Sequence, residues 1–191
     1  MSGPARRILT TALTVLGALA AALLVFLSLY RWDNKYTQPG PKALAGLLYL
    51  DGGQAEGLHF LTSEWEYYPD VLLAPGDFGV PAPQPEQYVF IGGYSNFSAG
   101  QAQRGPHGQA SYRLTVRLPE QPRAYALLMP DVYCAYRLYV NGRLLLEMGA
   151  PEADGYTPRL GERTVAFEAS GSVEILLAVA GREYITAGLT H

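Results

Sequence analysis

Ser111-Tyr112-Arg113-Leu114-Thr115-Val116-Arg117-Leu118 alternates without a break, with Tyr112, Leu114, Val116 and Leu118 on one side and Ser111, Arg113, Thr115 and Arg117 on the other. Period two predicts a half-buried β-strand, because successive side chains of a strand point to opposite faces. Downstream, residues 124–129 and 135–140 are apolar and aromatic, and the second run leads into Asn141-Gly142 and then Arg143-Leu144-Leu145-Leu146-Glu147. Asn-Gly between two such runs predicts a hairpin, since both central positions of a type I′ turn need positive φ. Residues 164–167 and 173–179 flank Ala169-Ser170-Gly171-Ser172. Upstream, residues 47–50, 58–68 and 88–91 are short runs that end at Gly, Pro or Asp clusters. Seven to nine strands with close turn signals read as an all-β sandwich or jelly roll. No sustained helical period interrupts them, although Pro69 to Phe78 has room for a single turn.

The other end of the chain is different. Residues 8–30 are continuously apolar and follow Arg6 and Arg7. A hydrocarbon core of roughly 30 Å needs about 20 helical residues to cross it. The expected order is therefore a cytoplasmic basic tail (1–7), a transmembrane signal anchor (8–30), a linker (31–44) carrying Pro39-Gly40-Pro41, and an extracytoplasmic domain (45–191). The two arginines favour a cytoplasmic N-terminus, and Tyr30 and Trp32 stand where interfacial aromatics are expected. A cleaved signal peptide begins the same way, but Leu23-Leu24-Val25-Phe26-Leu27 continues past the small residues Ala18 and Ala20. That continuation favours an uncleaved anchor.

Composition narrows the function. A net charge of −3 with no basic patch argues against nucleic acid as a partner. Cys134 is the only cysteine, so no intrachain disulfide forms, and it reads as a small buried hydrophobe. His59, His107 and His191 are dispersed and fit no metal pattern. Phosphate loops and Ser-His-Asp spacing are absent as well, so neither a cofactor nor a catalytic centre is expected. Glu64 and Glu66 stand two apart and have the spacing of an acid/base pair. The plainer reading has Trp65 and Tyr67 inward and both glutamates facing water. Asn96-Phe97-Ser98 has the form of a glycosylation acceptor.

Longer motifs carry a resemblance. Glu64-Trp65-Glu66-Tyr67-Tyr68 is followed by Asp70-Val71-Leu72-Leu73 and Gly76-Asp77-Phe78, and further on by Gly108-Gln109-Ala110-Ser111-Tyr112-Arg113-Leu114. Met129-Pro130-Asp131-Val132-Tyr133-Cys134-Ala135-Tyr136-Arg137-Leu138-Tyr139-Val140-Asn141-Gly142 completes the order. Over about residues 45–191 this resembles the N-terminal extracellular domain of bacterial seven-transmembrane receptors with diverse intracellular signalling modules. The resemblance implies a jelly roll of the galactose-binding type, signal reception, and downstream transmembrane and signalling modules such as a histidine kinase or diguanylate cyclase. The chain departs from the family pattern in stopping at His191, so it is expected to be an N-terminal fragment or a stand-alone anchored version. A tryptophan of the family is also missing near Gly92-Gly93-Tyr94.

The expected partners are thus the lipid bilayer, a small-molecule or saccharide ligand, and those downstream modules. The candidate ligand-binding residues lie in loops at one end of the sandwich: Tyr94, Asn96, Arg104 and His107, then Asp131 and Tyr133, then Tyr156, Thr157 and Arg159. Aromatic faces beside a few hydrogen-bonding groups suit a small polar ligand. Two other roles stay open: a carbohydrate-binding accessory domain of a surface glycosidase, and a structural domain that forms a homodimer.

Overall fold

The computed structural model describes residues 3–33, 40–50, 52–92, 97, 105–184 and 188–189. Its internal contacts divide the chain into two units, Met1–Gly40 and Pro41–His191.

The first unit holds one helix, α1 (Gly3–Asp33), which outruns the apolar stretch at both ends. Its segment Arg6–Trp32 is long and apolar enough to cross a membrane, and none of it is buried within the protein. Three of its hydroxyls bond back to the helix itself. Thr10 donates to the carbonyls of Arg6 and Arg7, Thr14 to that of Thr10, and Ser28 to that of Leu24. A hydroxyl bonded to the preceding turn leaves no open polar group in an apolar surrounding.

The second unit is β-rich. Among the described residues its strands are β1 (Leu47–Tyr49), β2 (Trp65–Pro69), β3 (Gln87–Val89), β4 (Gly108–Arg117), β5 (Arg123–Met129), β6 (Ala135–Val140), β7 (Arg143–Met148), β8 (Arg163–Ala169) and β9 (Ser172–Gly181). Seven of them form one sheet in the order β3-β2-β4-β9-β6-β7, with β1 also on β4; β5 and β8 form a separate pair. One edge of β4 is shared end to end. β2 runs antiparallel along residues 110–113, and β1 runs parallel along residues 115–117. The alternating stretch of the sequence is thus one of the two central strands, with β9 along its whole other edge.

The inner face of the large sheet carries Tyr67, Tyr112, Leu114, Val116, Tyr136, Leu138, Ile175 and Leu177, all buried. Tyr125, Leu127, Val165 and Phe167, which pair across β5 and β8, pack against this cluster as the second layer. Two-layer packing of a mostly antiparallel β-sheet is the arrangement expected of a β-sandwich, although the layers are unequal in size. The hairpin is as read. Asn141 and Gly142 have φ of 47° and 77° and join β6 to β7. The 3-10 turn Pro75–Phe78 occupies the single turn allowed for in the sequence.

Two expectations change. The run at residues 58–68 yields a strand only from Trp65, because Glu64 takes a positive φ of 52° and turns the chain. The glutamates also do not both face water. Glu66 is partly buried and accepts two hydrogen bonds from Arg113, at 2.5 and 3.2 Å. The polar face of β4 is covered rather than solvated at this point, and there Ser111 is fully buried.

Candidate functional site

The cluster nearest to the expected ligand site forms where β4, β6 and β9 end together. In register, Gly181 faces Gly108 and Ala180 faces Ala135. His107 lies one residue before Gly108, Arg182 one residue after Gly181 and Tyr133 two residues before Ala135, so continuing the two registers sets the three abreast, each from a different loop. The antiparallel ladder fixes this alignment, since side chains opposite each other share a face. Tyr133 is about half exposed, and its ring meets that of Tyr184 edge-on at 5.8 Å. The Arg182 guanidinium lies 6.0 Å from the centre of the Tyr156 ring. A cation at that distance over a ring face is weakly attracted by the ring's quadrupole.

Tyr156 reaches this row through a tight fold in the β7–β8 connection. Ala150 and Thr157 exchange backbone hydrogen bonds of 2.8 and 3.0 Å. Gly149 makes the turn possible: its φ is 73°, and a β-carbon there would lie 1.9 Å from the Thr157 carbonyl oxygen. Burial pushes the pKa of the Tyr156 hydroxyl above its ordinary value, and the nearby backbone at Arg182 and Ala135 only softens that rise. The hydroxyl therefore stays protonated and neutral. Beneath the row, the thiol of Cys134 is buried and accepts from the Gly188 N–H, and burial pushes it up to about 11. It is a packed side chain with no thiolate at neutral pH.

The sequence candidates separate on this map. His107, Tyr133 and Tyr156 come together at the strand ends. Asp131 is exposed nearby, and its charge adds to the burial that pushes the Tyr136 hydroxyl up to about 12, against a lowering from Arg163. Thr157 is held by the turn, its hydroxyl donating to the Gly155 carbonyl. Arg159 is exposed and forms no ion pair among the described residues. Tyr94, Asn96 and Arg104 lie outside the described residues, as do His191 and most of the Asn96-Phe97-Ser98 motif. Arg182 and Tyr184 were missed. Both lie within three residues of the end of the apolar strand β9, and that position in a loop at the same end is the signal that points to them.

Rings, one guanidinium and one imidazole make a surface able to hold a polar molecule by stacking and hydrogen bonds. Among the described residues no group of three or more His, Cys, Asp or Glu could hold a metal ion. No protein-family model matches the chain, and no curated protein matches it.

Proposed function

We propose that this chain is the membrane-anchored, ligand-sensing part of a signal-transduction receptor, with its β-sandwich outside the cytoplasm. The sandwich would be of the galactose-binding, jelly-roll type, and its ligand a saccharide or other small polar molecule. The observation that carries this reading is the row of His107, Tyr133 and Arg182 with Tyr156 and Tyr184, brought from separate loops to one end of a domain that follows a single apolar helix. Arg6 and Arg7 before the helix favour a cytoplasmic N-terminus, which exports the domain.

The test is a thermal-shift screen of the full chain in detergent against neutral, acidic and amino sugars. A ligand that binds the folded state raises the melting temperature by mass action. Tyr133→Ala and Arg182→Gln should abolish that rise while leaving the ligand-free melting temperature in place, since both side chains are exposed. A C-terminal reporter fusion that places the domain in the cytoplasm would overturn the topology.

A further inference from the structure

We propose that residues 71–78 form a transmission strap, which couples the loop end of the domain to the corner where the chain arrives from its N-terminal helix. The proposal concerns regulation of the site just described and rests on that reading for its purpose; its physical content does not depend on any ligand.

The strap begins at the loop end. Asp70 turns the chain with φ of 60°, and its N–H donates to the Gln109 carbonyl at 2.9 Å. The Gln109 side chain donates back to the Asp70 carbonyl at 2.8 Å. This clasp is two residues from His107. The strap then crosses the outer face of the large sheet, pinned midway by Ser111. That buried hydroxyl accepts from the Leu73 N–H at 2.7 Å and donates to the Val71 carbonyl at 2.9 Å. Leu176 and Ala178, opposite Arg113 and Ser111 in register, are buried on the same face.

The far end of the strap is held by stacking. The Phe78 ring lies 4.4 Å under the Arg113 guanidinium and 5.6 Å edge-on from Tyr68. Arg113 in turn grips Glu66 and reaches Glu174 at 3.5 Å. The Glu66 side chain fills the space beside Gly46, where an added β-carbon would lie 2.7 Å from Glu66 Cγ. Gly46 is one of the early fixed points of the arriving chain, three residues after Ala43, whose N–H is bound to the Ser63 hydroxyl: the Gly46 N–H donates to the Glu64 carbonyl, and its carbonyl accepts from Thr115. Phe78, Arg113, Glu66 and Gly46 thus form one contiguous chain of contacts from strap to corner. Coupling between distant sites needs such an element with two arrangements, and lifting the strap off Arg113 supplies the second.

Hydrogen exchange on the full chain in detergent tests this with Phe78→Ala and Phe78→Trp. Phe78→Ala should speed exchange about tenfold both in residues 71–78 and at the Gly46 and Leu47 amides, leaving β8 unchanged. Phe78→Trp, which keeps a ring under the guanidinium, should restore both segments together. Faster exchange confined to residues 71–78 would overturn the coupling. A uniform rise that includes β8, or no change at either segment, would overturn the strap as a separate unit. A blank sugar screen, by contrast, would remove the sensing role and leave this result standing.

Discussion

Glu66 accepts both Nε–H and Nη2–H donors of Arg113, across the β2–β4 pair in which the two residues face each other in register. The fork-shaped guanidinium suits a carboxylate better than any other cation, and neither partner is well exposed. Tyr68 donates a third hydrogen bond to the same carboxylate, and burial first, then Glu66, drives its own ionisation to higher pH.

Glu66→Gln should therefore lower stability by about 1.5–3 kcal/mol, the range for hydrogen bonds to charged groups. Urea unfolding at unchanged slope would show it as an earlier midpoint. Arg137 is the contrasting case. It bridges Glu147 and Glu152 at the surface, and Glu152→Gln should cost no more than about 1 kcal/mol.

Leu114 is fully buried at the centre of the inner face. Leu114→Ala should cost about 2–5 kcal/mol through lost burial and the cavity left behind. Leu128, which points away from the core and is half exposed, should tolerate alanine within about 0.5 kcal/mol. A pair of thermal melts separates the two outcomes.

Two glycines at positive φ should respond differently to alanine. A β-carbon at Gly142 would meet nothing closer than Pro75 Cβ at 3.9 Å, an ordinary contact, so Gly142→Ala should cost only the left-handed penalty of about 1–2 kcal/mol. Gly149→Ala collides with the Thr157 backbone and should break the Ala150–Thr157 bridge. It should cost clearly more than Gly142→Ala and displace Tyr156, visible as a changed tyrosine environment in near-ultraviolet circular dichroism.

Alkaline pH should unfold the domain earlier than its surface charge alone would. Burial raises the Cys134 thiol from 9.0 to about 11 and the Tyr136 hydroxyl from 10.0 to about 12. Both groups bind protons more tightly when folded, so their contribution is complete below pH 9 and is lost as pH rises towards 12. Cys134→Ala should remove the lower part of that window in melts taken between pH 8 and 12.

The β-rich class of the second unit was legible because its strongest signals are local. The period of residues 111–118 and the Asn141-Gly142 turn each follow from a few neighbouring side chains. The apolar helix was legible for the same reason. What the sequence hid depends on pairing across distance. Ser111 and Arg113 read as solvent-facing because alternation cannot show that residues 71–78 return over them. The positive φ at Glu64, which cuts the strand at residues 58–68 short, has no signal in side-chain pattern. Of the site, Tyr133 and His107 were found as loop residues, but their alignment with Arg182 exists only through the registers of β9 with β4 and β6.

The parallel seat of β1 on β4 has a consequence for how the chain is made. Leu47 leaves the ribosome soon after the helix, yet its partner Thr115 is synthesised much later, and β9 later still. The strand nearest the helix must wait, without its sheet, for Thr115, 68 residues after Leu47, to appear. Any partner that binds the unpaired Leu47-Leu48-Tyr49 edge during that interval competes with its seat on residues 115–117.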